Sequence, residues 1–156
     1  MNFELSGPRF DLSMMALGSV YFVFLPSILT TSQAGRLAGF LGVHGATWGG
    51  LALAVVGVCL MALDWLPGVL AGMALVAVGT FLAQALATGF VARAAMGDRA
   101  AASGLYLACY FSGGLIGAIV LGQIYTAYGW SAMSVCVMVM LAVAGILARN
   151  FDPAKT

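Results

Sequence analysis

Long apolar stretches separated by isolated charged residues set the pattern of this chain. No Asp, Glu, Lys or Arg falls between Asp11 and Arg36, between Arg36 and Asp64, between Asp64 and Arg93, or between Arg99 and Arg149. A helix crosses the hydrocarbon core of a bilayer with about 20 apolar residues. The last stretch is too long for one crossing, and Gln123-Ile124-Tyr125-Thr126-Ala127-Tyr128-Gly129 breaks it with turn and interface residues. The pattern therefore predicts five helices, over about 13–33, 45–64, 67–90, 102–122 and 130–148. A membrane barrel would show alternating segments of about 10 residues, whereas these runs are continuous. The expected fold class is all-α integral membrane, with residues 1–156 as a single membrane domain.

The basic residues orient this arrangement. With the N-terminus outside, Arg36, Arg93, Arg99, Arg149 and Lys155 all face the cytoplasm and only Arg9 faces out. The positive-inside rule favours that choice. Trp65, Tyr125, Tyr128 and Trp130 then fall at the outer interface, where amphipathic rings accumulate. The expected location is the bacterial inner membrane, multi-pass, with the C-terminus cytoplasmic. Pro67 falls at the start of the third helix, where its missing N–H is harmless. Pro26 falls inside the first and is expected to kink it.

Composition narrows the function. Hydrophobic residues make up 63% of the chain and charged residues 7%, against about 25% charged in a soluble domain. A net charge of +1 implies no nucleic-acid partner. Cys59, Cys109 and Cys136 lack metal-ligand or redox spacing and read as small hydrophobes. One His and five acids, none paired at helical spacing within a span, offer no metal site and disfavour a membrane-embedded enzyme. No cofactor is expected. Met1 to Asp11 has no basic start followed by an apolar stretch, so it does not read as a signal peptide.

Lipid tails are as apolar as Leu, so helix association in a bilayer depends on close backbone approach. Small residues recur four apart at Gly45 and Gly49, at Gly68 and Gly72, and on several ridges of the fourth helix. Those ridges carry Gly104, Ala108 and Ser112, then Gly113 and Gly117, then Gly114, Ala118 and Gly122. The fourth helix is therefore expected to sit centrally, between neighbours.

Polar residues inside spans are expensive and mark candidate function. Thr80, Gln84 and Thr88 form a stripe on one face of the third helix. They read either as substrate contacts or as helix–helix hydrogen bonds. Ser19, Ser27 and Thr30 lie near one face of the first helix with Pro26, and small hydroxyls also bond their own helix carbonyls. Tyr106 and Tyr110, four apart, offer hydroxyls and ring faces to an amphipathic or cationic ligand, or simply pack. Arg93, Asp98 and Arg99 form a charged cluster in a cytoplasmic loop, suited to gating or to solvation.

At an offset of 87 residues, Gly35-Arg36-Leu37-Ala38-Gly39-Phe40-Leu41-Gly42 aligns with Gly122-Gln123-Ile124-Tyr125-Thr126-Ala127-Tyr128-Gly129 in length and glycine frame. One connection is expected inside and the other outside, as in an inverted-topology repeat.

At these residues the chain resembles the C-terminal half of a major facilitator superfamily transporter, in the bacterial efflux branch. Leu17-Gly18-Ser19-Val20-Tyr21 with Pro26 resembles that half's second helix, and Asn2-Phe3-Glu4-Leu5 the outer end of its first. Ala34-Gly35-Arg36-Leu37-Ala38 followed by Gly42 resembles the cytoplasmic signature loop. Ser103-Gly104-Leu105-Tyr106 with Gly113-Gly114 and Gly117 resembles the next-to-last helix, and Gly129-Trp130 the start of the last. The loop departs from the family pattern, with Gly39 in place of an acid and Phe40, Val43 and His44 in place of basic residues. Only Arg36, with His44 as a weak substitute, is left for a charge latch.

The resemblance implies five helices of a six-helix half-bundle, with that half's first helix and the whole N-terminal half missing. It implies a small-molecule substrate moved by alternating access, in the outward direction. It also places the first, third and fourth helices along the cavity, with the second and fifth peripheral. A truncated reading frame, a degenerate remnant and a subunit whose second chain supplies the missing half all fit the length. An accessory membrane protein packing on a partner is the alternative to a transporter part.

Overall fold

The computed structural model describes residues 21–63 and 65–149. A 3₁₀ turn, Tyr21–Phe24, leads into α1 (Leu25–Ser32), followed by α2 (Ala34–Met61), α3 (Leu66–Ala94) and α4 (Arg99–Ala148). No strand occurs among the described residues. Three of these helices, α2, α3 and α4, are long and apolar enough to cross a membrane. The backbone hydrogen bonds of such helices close within the helix, which is the condition for exposing them to lipid.

The helices differ from the five expected in how they connect. Segments 35–42 and 123–129, expected as connections, are helical throughout except for a single residue each. Gly42 (φ 71°, ψ 160°) interrupts α2 and Gly129 (φ 79°, ψ −171°) interrupts α4. These angles lie in a region that is essentially restricted to glycine. Leu37, Leu41, Ile124 and Ala127 are compatible with a helix, so the backbone departs from it only where a residue without Cβ allows. Among the described residues four helices are therefore found where five were expected. The expected start of the first helix and Ser19 lie outside the described residues.

Pro26 also differs. It falls in the first turn of α1, not in the body of a helix. The distortion takes the form of the 3₁₀ turn just before it, because a proline ring is accommodated where no N–H is needed. Pro67 occupies the first turn of α3.

Packing shows that the chain reverses at both glycines. Phe24 packs against the cluster of Met61, Val69 and Met73. Ala34, Leu37 and Ala38 pack with Ala46, Leu82 and Leu86 near the other end of α3. The chain therefore runs along α3 from Phe24 to Leu41 and turns back at Gly42. Likewise Tyr106 meets Thr88 near one end of α3, and Trp130 joins the Met61, Val69 and Met73 cluster at the other. Residues 130–149 then return along α2, Ser134 near Val58 and Gly145 beside Trp48.

The tightest seam joins α2 and α3. A Cβ on Gly57 would lie 2.6 Å from the Gly72 carbonyl oxygen, and one on Gly72 2.5 Å from that of Gly57. A Cβ on Gly50 would lie 2.8 Å from the Gly79 oxygen, and one on Gly79 would also clash with the Gly50 oxygen. Seven residues forward on α2 match seven backward on α3, the register of an antiparallel pair whose facing positions are two turns apart. Ala54, 0% exposed, lies between the two contacts. This is close backbone packing of the kind that joins helices in lipid.

Of the glycines singled out by four-residue spacing, Gly72 lies in that seam and Gly68 at its end, where a Cβ would lie 3.6 Å from the Leu60 oxygen. Gly104, Gly113, Gly114, Gly117 and Gly122 would carry a Cβ with nothing within 4 Å among the described residues. Ala108 is exposed as well. Among the described residues the central helix is instead α3, which meets α1, α2 and α4, while the 43–61 part of α2 lies between α3 and residues 130–149. The ridges on α4 were read from one helix, but a close contact also needs small residues in register on the other.

Candidate substrate path

The polar stripe of α3 occupies one face by helical periodicity, and its hydroxyls are tied to their own helix. Thr80 Oγ1 donates to the Val76 carbonyl at 2.7 Å, and Thr88 Oγ1 to the Gln84 carbonyl at 2.9 Å. Each hydroxyl oxygen keeps lone pairs for a further donor. Gln84 is half-buried and its side-chain amide makes no hydrogen bond to a described residue. It is therefore the residue of the stripe with both donors and acceptors unused.

A neighbouring element meets this stripe. Tyr106 on α4 meets the Thr88 side chain, bringing two of the candidate residues together. Tyr106 and Tyr110 stack with ring centroids 6.4 Å apart, and Phe111 packs edge-on to Tyr110 at 5.5 Å. Tyr110 and Phe111 are exposed among the described residues. On the other side, a cleft of about 530 Å³ between α1 and α3 is lined by Phe24, Leu25, Ser27, Ile28 and Phe81. Ser27 is only 5% exposed and donates to the Phe24 carbonyl at 2.6 Å, while Thr30 donates to the Pro26 carbonyl at 2.9 Å. Both hydroxyls thus serve α1 itself. Phe81, next to Thr80 in sequence, was not singled out. Its neighbour across the cleft comes from another helix, which periodicity within α3 cannot reveal.

The charged candidates gather at one end of the bundle. Arg36 lies in the first turns of α2, so with Gly35 it is helical where a loop was expected. Arg93 lies in the last turn of α3 and Arg99 begins α4. Arg149 closes α4 beside Trp48, at the same end. Asp98 is engaged as the N-cap of α4, its Oδ1 accepting from the Ala100 and Ala101 amides at 2.9 and 3.1 Å. Among the described residues none of the arginines makes an ion pair with it. Trp65 and Trp130 mark the opposite end.

No family model and no solved structure matches the chain. The uncharacterized MFS-type transporter YybF of Bacillus subtilis (strain 168) is 26% identical over 152 residues, covering 95% of this chain and 38% of that relative. The chain thus spans well under half the length of the curated relative it matches. Its apolar helices and this similarity mark it as a multi-pass membrane protein that resembles, over nearly its whole length, part of a major facilitator transporter.

Proposed function

We propose that this chain forms part of a secondary transporter that moves a small molecule by alternating access, outward across the bacterial inner membrane. The similarity to a major facilitator transporter over 95% of the chain carries this reading. In it, the reversals at Gly42 and Gly129 make five crossings of the four helices, as a single membrane domain. The N-terminus faces out, and the end that gathers Arg36, Arg93, Arg99 and Arg149 faces the cytoplasm, in keeping with the positive-inside rule.

Gln84, Thr80 and Thr88 form one wall of the path, with Tyr106, Tyr110, Ser27 and Thr30 on the flanking helices. The open ridge of Gly104, Ala108, Gly113 and Gly117 receives the rest of the transporter, on the same or a second chain. The arginine end moves between open and closed states, with Gly35 and Arg36 near its turn. An accessory role, packing on an unrelated membrane protein, would use the same ridge without a path.

The test is flux in oriented vesicles. Amphipathic fluorescent cations are offered to inside-out vesicles holding the protein alone, or with the segments of the YybF relative that it does not match. Saturable accumulation is expected only with both parts, and Gln84→Leu should lower it about ten-fold. Accumulation unchanged by Gln84→Leu would remove the path, and its absence with both parts would favour the accessory role.

A further inference from the structure

Away from the candidate path, a groove of about 710 Å³ runs between α2 and the 130–149 part of the chain. Leu51, Val55, Leu141 and Gly145 line its length, and Trp48 and Arg149 stand at one end. The walls meet at Gly145, where a Cβ would lie 3.3 Å from Trp48 Cη2. Met138 and Ala142 continue it into a second apolar cleft of about 470 Å³.

We propose that this groove holds an anionic phospholipid, its acyl chain along Leu51, Val55 and Leu141 and its phosphate on Arg149. Three observations support that occupant. The groove is apolar throughout and cationic at one end, which is the pattern of an amphiphile. From Met138 to Arg149 a helix rises about 16 Å at 1.5 Å per residue, close to half of the ~30 Å hydrocarbon core. That is the depth of one leaflet. The third is charge. Asp98 is the acid among the described residues, and it caps α4, so none of them neutralises Arg149.

Trp48 sits at the same level, 40% exposed, with the His44 ring 6.2 Å away. Amphipathic rings of this kind belong at headgroup depth. A transmembrane helix is a poorer fit, because helix partners favour small-residue surfaces. Here the exposed lining side chains are the bulky Trp48, Val56 and Ile146, and the open small-residue ridge lies elsewhere on α4. The inference requires a bilayer around these helices but no transported substrate, so it stands or falls apart from the transport reading.

Native mass spectrometry of the protein in detergent tests it, with phosphatidylglycerol and phosphatidylcholine of matched acyl chains as probes. One phosphatidylglycerol should be retained with about five-fold preference, the ratio expected for one basic side chain near a membrane surface. Arg149→Gln should abolish the preference, Arg149→Lys should keep it, and Arg36→Gln, at the same end but outside the groove, should keep it. Ala142→Phe should lower retention of both lipids. Equal retention of the two by the unaltered protein, an equal loss in Arg36→Gln, or full retention in Ala142→Phe would each overturn the proposal.

Discussion

Gly42 and Gly129, 87 residues apart, share a left-handed backbone: φ is 71° at one and 79° at the other. Each is followed five residues later by a hydroxyl that reaches back to the first helical carbonyl after the break. Thr47 Oγ1 donates to the Val43 oxygen at 2.8 Å, and Ser134 Oγ to the Trp130 oxygen at 3.0 Å. The alignment of the two segments thus extends from glycine spacing to backbone angle and to a side-chain bond. One reversal lies at the arginine end and the other at the tryptophan end, the relation expected of an inverted repeat.

Because both glycines occupy a region closed to other residues, Gly42→Ala and Gly129→Ala should each cost about 1–3 kcal/mol. Gly39→Ala, at a helical position with open space around it, should be neutral or stabilising by up to about 1 kcal/mol. Thermal unfolding in detergent separates the two outcomes. Equal stability of all three variants would mean that the reversals need no glycine.

The α2–α3 seam should tolerate no added carbon. Gly57→Ala and Gly79→Ala force a Cβ against facing backbone and should destabilise by about 1–3 kcal/mol, the usual cost of overpacking. Gly113→Ala, on the open ridge, should change stability little. Reversible unfolding in mixed micelles is the measurement, and a Gly79→Ala variant as stable as Gly113→Ala would contradict the packing.

Asp98 should act as a cap. Asp98→Ala should cost about 1 kcal/mol and Asp98→Asn little, since Asn also accepts from helix amides. The same measurement applies. If Asp98→Asn were as damaging as Asp98→Ala, its charge, in place of its hydrogen bonds, would be the property that matters.

The Thr88–Tyr106 pair should contribute modestly. A double-mutant cycle of Thr88→Val and Tyr106→Phe should return about 0.6 kcal/mol, the average for hydrogen bonds between membrane helices. A coupling near zero would show that the two helices are held together elsewhere.

The proposed orientation places the gathered arginines in the cytoplasm. With native cysteines replaced, a membrane-impermeant thiol reagent should label Arg36→Cys and Arg93→Cys only after cells are opened, and Trp65→Cys in intact cells. Labelling of Arg93→Cys from outside would reverse the proposed orientation.

The apolar runs alone determined that the chain is helical and suited to lipid, because continuous segments of such length lack the alternation of barrel strands and satisfy their backbone in a membrane as helices. They also marked the two repeated segments, since the need for a glycine at a reversal is local and visible in the residue itself. Spacing along α3 likewise placed Thr80, Gln84 and Thr88 on one face, because a helical face is a property of one helix.

Only the tertiary structure decided which glycines pack. Gly50 with Gly79 and Gly57 with Gly72 are pairs across two helices, whereas spacing within α4 pointed to Gly104, Gly113 and Gly117. The same holds for Tyr106 meeting Thr88 and for Arg149 standing beside Trp48, distant residues joined by the reversal at Gly129. Periodicity describes one helix at a time, and a contact between helices depends on the direction and register in which the chain returns.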